Sequence, residues 1–476
     1  EFRNPERTQA LELLKPSRTD SLPLSMKLTE EGRYQLKTRR YKVVESGVDR
    51  VVFATLLENG IQITKDISLQ SGKYYFDVAI TLQNTTDSEI LASYSITVAN
   101  GLYPEIDKIT GLASIAGIDV GKGKTKIAHT DVKDMPYKNE SVGITMAGAT
   151  NKYFAAVLKP SVNNRIAAVT SESVKNPDPF YEDDFIVDLH AKRVSILPQG
   201  ERRHDYAFFL GPKNNEALTQ CDGLLAISDY DFGMTRSICK ILVKILNMFY
   251  GVIPNYGVSI LLLTFLVKLV LFPLTRKSQM SMVRMQQLQP LIAQLKEKHK
   301  GDKQKVGQEQ MKLFKQHGVN PMSGCFPILL QLPVFFALFR TLQNSFEMRQ
   351  APFVSWVTDL SEPDKLLQLP FTIPFLGEWL NILPLIMGAA SFVQMKLTPK
   401  TTGDDPQARM QQKMMQMMPL IFPVILYNFP SGLTLYWTTS TLISIGEQIL
   451  IRRSVKKLDI YYKGKRVIDA KAKVKK

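Results

Sequence analysis

The chain has 476 residues, with 60 Lys and Arg against 44 Asp and Glu, a formal net charge of +16 and a mean hydropathy of -0.08. That average joins a mixed, polar first half to a second half that holds long apolar runs, which predicts a soluble domain of roughly 200 residues followed by a membrane domain. The three cysteines, Cys221, Cys239 and Cys325, lack C-x-x-C spacing, and the five histidines, His129, His190, His204, His299 and His317, show neither metal nor triad spacing; the sequence supports no disulfide framework, no zinc site, no catalytic site and no cofactor.

The opening, EFRNPERTQALELL, has no long apolar core. No cleavable export signal is visible, so an exported first half implies a truncated or processed chain. From Ser25 to about Ala226 short alternating segments such as Tyr74 to Leu82 and Asp184 to Leu189 are separated by turn-formers, among them Asn59-Gly60, Ser71-Gly72 and Asn100-Gly101. Residues 1–226 therefore predict an all-β sandwich domain. Gly121-Lys-Gly-Lys-Thr125 is no phosphate loop, because Ile118 stands where the first glycine belongs and no apolar helix follows. The acidic run Glu182, Asp183 and Asp184 lacks the spaced pattern of a calcium loop and reads as an exposed turn.

Residues 231–250 set Ile238, Ile241, Leu242, Ile245, Leu246 and Phe249 at helical spacing, with Arg236, Lys240 and Lys244 on another face. This is the pattern of an amphipathic helix lying in the membrane interface. The first span follows at 254–275. Its run from Val258 to Leu274 approaches the length of about 20 apolar residues that crosses a bilayer, yet it contains Lys268. A charge at that depth costs at least about 2.5 kcal/mol, so Lys268 is the first functional candidate.

Residues 276–322 read as a cytoplasmic helical hairpin, with helical stretches on either side of Lys300-Gly-Asp-Lys303 and Leu288, Leu291, Ile292 and Leu295 at seam spacing. Further spans are expected at 325–345, 379–397, 414–429 and 433–451, with a periplasmic loop at 346–378, a cytoplasmic loop at 398–413 and a basic cytoplasmic tail at 452–476. Lys and Arg crowd the hairpin, the 396–413 segment and the tail, whereas residues 349–378 offer only Arg349 and Lys365. The cationic segments belong inside and the β domain outside.

Thr264 lies one turn from Lys268 on the same face, and Gln331, Gln394, Tyr436 and Trp437 sit within other spans. Singly each has a bland explanation as helix glue or an interfacial aromatic; with a buried cation they read as the lining of a hydrated cavity. Methionines cluster at Met280, Met282 and Met285 and again from Met410 to Met418. Such side chains suit contact with varied apolar partners, so Met280 and Met285, with Leu288, Leu291 and Leu295, are candidate cytoplasmic recruitment residues. In the tail, Arg452, Arg453, Lys456, Lys457, Lys473 and Lys475 are candidates for contact with RNA phosphates or anionic lipids.

The segments Thr264 to Thr275, Gln289-Pro290, Val319 to Val334, Arg349 to Phe353 and Phe429-Pro-Ser-Gly-Leu433, in that order and spacing, resemble the YidC/Oxa-type membrane protein insertases of the bacterial inner membrane. Gly60 to Asn84 and the neighbourhood of Gly211-Pro212 resemble the periplasmic domain of the Gram-negative members. The resemblance implies an α-helical polytopic membrane domain, a five-span insertase core with a polar groove, preceded by an all-β periplasmic sandwich domain. It implies an N-terminal signal-anchor span that is absent here. It also implies an arginine at the position of Lys268, a substrate-facing role for Thr264, and groove roles for Gln331, Gln394 and Trp437. Nascent membrane proteins, the Sec translocon and the ribosome are the implied partners, and no enzymatic step is implied. A small-solute transporter or channel is the second reading, although no inverted repeat is found, and carbohydrate binding or processing in the β domain is the third.

Overall fold

Strand alternation builds the first unit. In Ile61–Leu69 the residues Ile61, Ile63 and Lys65 turn to one side and are all buried. A slip of one residue would expose the whole set, so the pattern fixes the register. This strand pairs antiparallel with Arg50–Leu56 and Tyr75–Asn84. They belong to a nine-stranded sheet, in the spatial order Lys42–Ser46, Arg50–Leu56, Ile61–Leu69, Tyr75–Asn84, Glu201–Pro212, Phe154–Pro160, Ile144–Thr150, Ala113–Asp119 and Thr125–Asp131. A six-stranded sheet runs Met26–Thr29, Ile90–Asn100, Asp184–Ala191, Ile166–Val174 and Tyr137–Asn139, with Val194–Ile196 also paired to Ile90–Asn100. Ile63, Ile80, Leu82 and Phe208 from the first sheet and Ile96, Val98, Phe185 and Val187 from the second share one buried cluster. The all-β sandwich expected from the sequence is the fold observed.

Phe154–Pro160 (FAAVLKP) is buried at nearly every residue rather than at alternate ones. The outer face of its sheet is covered too: Ile115, Met146, Val157 and Phe209 pack against Ala217, Leu218, Leu224 and Ile227. A strand covered on both faces has no reason to alternate.

The computed structural model describes residues 23–29, 41–100, 102, 113–121, 124–131, 134–161, 166–174, 184–299, 302–319, 326–374, 376–397, 417, 421–454, 461–462 and 465–466. It divides into two units, Glu1–Gly233 with Asn344–Phe346, and Met234–Gln343 with Glu347–Lys476.

The second unit is helical. Arg236–Val252 precedes the long helix Tyr256–Gln287. The side chain of Asn255 caps the latter, accepting from the Val258 amide at 3.0 Å, and its Nδ2 donates to the Phe353 carbonyl at 2.9 Å. One residue on, a Cβ at Gly257 would collide with the Phe353 ring, so only glycine permits this approach. Among the described residues this is the one helix that is, by itself, long and apolar enough to cross a membrane. Its 32 residues span about 48 Å at 1.5 Å each, well beyond a hydrocarbon core of about 30 Å.

The sequence ends this element at 275; the structure carries it on to Gln287 with Pro273 inside. Proline removes one amide donor, and the Arg, Lys, Gln and Met residues that follow are strong helix formers. Gln289–Lys298 and Lys303–Gln316 come next, the second capped by Asp302, which accepts from the Lys305 amide at 3.0 Å. Leu288, Leu291, Ile292, Phe314 and Val319 form a buried cluster, with Met285 and Leu313 against it. Leu288, Leu291 and Leu295, the candidate recruitment leucines, are buried, the first two within this cluster, because two short helices bury apolar area by giving their seam to each other.

Phe326–Asn344, Leu383–Leu397 and Ser431–Ser454 are the remaining principal helices. The sequence starts the second of these at 379, but Gly377–Leu380 is a strand paired with Leu367–Ile373. Asp364 sets the helix start at Leu383: its Oδ2 accepts from the Ile382 amide at 2.8 Å, the Leu383 amide at 3.0 Å and Trp356 Nε1 at 3.0 Å. The span expected at 414–429 is described only at 417 and from 421, where residues 421–425 are helical. The 398–413 loop, Glu182, Asp183, Cys325, Met410, Met414, Met415, Met418, Lys456, Lys457, Lys473 and Lys475 lie outside the described residues.

Candidate functional site

Ser431–Ser454 packs against both Tyr256–Gln287 and Leu383–Leu397, and it carries an unusual density of hydroxyls for an apolar helix. Thr438 Oγ1 donates to the Thr434 carbonyl at 2.7 Å, Thr439 Oγ1 to Leu435 at 2.8 Å and Ser444 Oγ to Ser440 at 2.9 Å. Each hydroxyl thus spends its proton on its own helix and keeps lone pairs free to accept. Ser440, Ser444 and Glu447, spaced i, i+4 and i+7, share one face.

Lys268 reaches this face. Its Nζ donates to Ser444 Oγ at 2.8 Å, and Glu447, 8% exposed, lies one turn further along that helical face. Such a lysine is tolerable because a hydroxyl acceptor replaces part of its lost hydration. Sequence reading singled out the lysine and missed Ser444, its hydrogen-bond partner. The available signal was an acid inside an apolar span, in phase with two serines.

A second polar contact lies about eight residues away along the same helix, roughly 12 Å at 1.5 Å per residue. There Gln331 Nε2 donates to Tyr436 Oη. Trp437 meets Phe335 edge-on, ring centroids 5.0 Å apart, and lies 5.0 Å from Phe422. The structure therefore joins Lys268 to Ser444, and Gln331 to Tyr436, as two separate contacts. Thr264 is placed differently: it is fully buried, and its hydroxyl donates to the Ile260 carbonyl of its own helix at 2.6 Å. Gln394 is half-buried on Leu383–Leu397. Met280 and Met285 are half-buried on the extension of Tyr256–Gln287, Arg452 donates to the Leu397 carbonyl, and Arg453 is exposed.

Away from these contacts the helices present apolar side chains outward, including Phe265, Leu269 and Val270, Leu332 and Phe336, Phe392 and Val393, and Leu442, Ile449 and Leu450. Exposed apolar surface on this scale marks an interaction with lipid or protein.

In the β unit, one buried polar cluster is satisfied internally. Tyr94 Oη bonds His204 Nδ1 and lies 2.7 Å from Tyr206 Oη. Burial lowers the His204 imidazole, pushes Tyr206 up to about 12 and raises Tyr94 further, so all three are held neutral. Among the described residues, no cluster of His, Cys, Asp and Glu could hold a metal ion.

An all-β domain followed by helices with apolar outer faces and polar inter-helical contacts defines a membrane protein with an appended soluble domain. Residues 3–245 match the family described as YidC periplasmic domain, and residues 248–458 that described as 60Kd inner membrane protein. The membrane protein insertase YidC of Syntrophobacter fumaroxidans is 33% identical over 454 residues, covering 91% of this chain and 77% of that one. That of Pelobacter propionicus is 40% identical over 309 residues, covering 65% of this chain and 54% of that one. A crystal structure of an active YidC insertase with its first transmembrane domain resolved matches with 21% identity, 88% coverage of this chain, 82% of that chain and a TM-score of 0.37. The chain belongs to the YidC family of bacterial inner-membrane protein insertases, which carry a periplasmic domain and are not enzymes.

Proposed function

We propose that the chain is an insertase and chaperone that guides nascent transmembrane segments into the inner membrane through a hydrophilic groove open to cytoplasm and lipid, alone or with the Sec translocon. The observation that carries this reading is the part-buried contact of the Lys268 ammonium with Ser444, set among helices whose outer faces are apolar. A polar lining shortens the hydrocarbon path that the exported end of a passenger must cross, and lysine attracts acidic side chains of that end. Transfer of the passenger's apolar body into lipid supplies the driving force, at about 25 cal/mol per Å² removed from water, so no nucleotide is required.

The charge pattern orients the chain as a multi-pass protein with five spans. The hairpin, the 398–413 loop and the tail lie in the cytoplasm; the β domain and residues 346–378 lie in the periplasm. Thr264, Gln331, Gln394, Tyr436 and Trp437 serve the groove, Met280 and Met285 meet arriving passengers, and Arg452 and Arg453 with the tail lysines contact the ribosome or anionic lipid.

Reconstitution of the purified chain in liposomes with a small single-span passenger tests this. Protease-protected passenger should rise above the level in empty liposomes; equal protection with and without the chain would sink the proposal.

A further inference from the structure

We infer that the hairpin of Leu367–Ile373 and Gly377–Leu380 is a lipid-contact surface, whose apolar face lies at the boundary of headgroups and acyl chains on the side from which Leu383–Leu397 enters the membrane. In the orientation proposed above, which this last point rests on, that is the periplasmic leaflet.

The first strand, LQLPFTI, alternates strictly. Leu367, Leu369, Phe371 and Ile373 take one face, and Gln368, Pro370 and Thr372 the other. Such alternation ordinarily turns the apolar face onto a core. Here Leu367 is 57% and Phe371 61% exposed, with Leu366 beside them at 39%, and residues 366–380 contain a single charged residue, Glu378. The base of the hairpin is tied down, so this face is presented at a fixed attitude. Asn381 Oδ1 accepts from the Lys365 amide at 3.0 Å, its Nδ2 donates to the Tyr427 carbonyl at 2.9 Å and its amide donates to Tyr427 Oη at 3.0 Å. Tyr427 Oη in turn donates to the Trp379 carbonyl at 3.1 Å.

Two features select lipid as the occupant. Leu383–Leu397 begins within about 10 Å of chain from Leu380, and its first turn exposes Leu385 and Ile386, so apolar surface continues across the junction. From Leu383 to its first charge, Lys396, this helix rises about 20 Å, against a hydrocarbon core of about 30 Å; an apolar hairpin at the entry end supplies cover where the helix falls short. A partner protein adding a strand is the poorer fit, because Pro370 withholds an amide from the strand, and acyl chains need no such donor.

The test places a photoreactive benzophenone side chain at Phe371, and in turn at Gln368 on the opposite face, in the full chain reconstituted into vesicles of phosphatidylethanolamine and phosphatidylglycerol with radiolabelled acyl chains. Illumination should give several-fold more lipid adduct at position 371 than at 368. Equal adduct at the two positions, or none at either, overturns the inference, as does a protein adduct in place of lipid at 371 in native membrane vesicles. Melting curves in detergent should match wild type for both substitutions; a lowered melt for the substitution at 371 would show that side chain to be packed and would also overturn the inference. The side is read separately, from the reaction of Glu378→Cys with a membrane-impermeant maleimide in spheroplasts. Labelling confined to inverted vesicles would overturn the orientation alone, and lipid adducts at 371 would still stand.

Discussion

Two lysines show how one residue type is read by its surroundings. Lys268 was legible because a single charge interrupts an apolar run, whereas Ser444, one hydroxyl among many on its helix, became visible only when the structure brought the two helices together. Lys268→Glu replaces the buried cation beside Ser444 with an acid, and it should impair insertion of passengers with acidic exported ends several-fold more than neutral ones; equal loss for both classes would count against electrostatic capture by this residue. Lys65 was unremarkable as sequence. It occupies the inward alternation after Ile61 and Ile63, with Nζ donating to the Leu24 carbonyl at 2.7 Å and lying 4.3 Å from the centre of the Tyr41 ring. Burial pulls its ammonium down to about 8. The folded value lies below the unfolded one, so the associated stability is present above about pH 10.4, the ordinary lysine value, and is lost as pH falls through about 8. Melting curves between pH 7 and 10.5 should therefore rise more steeply for wild type than for Lys65→Met, by a difference on the order of 3 kcal/mol. Parallel curves would show that this lysine remains solvated.

At the scale of elements, helices were more legible than sheets. The seam of Leu288, Leu291 and Leu295 is a local periodicity and could be read directly, although its purpose could not: the partner, Phe314, lies on the next helix, so the same leucines suit a closed hairpin or an exposed surface equally well in sequence. Leu291→Asp should open the hairpin, measured as faster proteolysis between residues 288 and 319 with the β unit's cleavage unchanged; unaltered proteolysis would deny the seam its structural role. Neighbouring strands such as Tyr75–Asn84 and Glu201–Pro212 are too far apart in sequence for alternation to pair them. The start of Tyr256–Gln287 combines a signal that could be read, the Asn255 cap, with one that could not, the seat of Phe353 on Gly257. Asn255→Ala should cost about 1 kcal/mol for the cap, and Gly257→Val should cost more because it also displaces Phe353; a reversed order in detergent melts would contradict this packing.

For the whole molecule, composition separated a β domain from a helical one, and the recurrence of Lys and Arg supplied an orientation. The fold class was legible because both periodicities are strong. The functional contacts were legible only in part, because polar residues inside apolar spans announce themselves one at a time, whereas their partners are set by which helices touch. The central claim is that passengers cross along the face bearing Tyr436, Ser440 and Ser444. The most direct measurement places a photoreactive side chain at Ser440, and in turn at Gln331, and illuminates proteoliposomes while a single-span passenger is inserting. Adducts that appear during insertion and fade once the passenger is protease-protected are the expected result; a passenger that inserts fully without forming an adduct at either position would contradict the account.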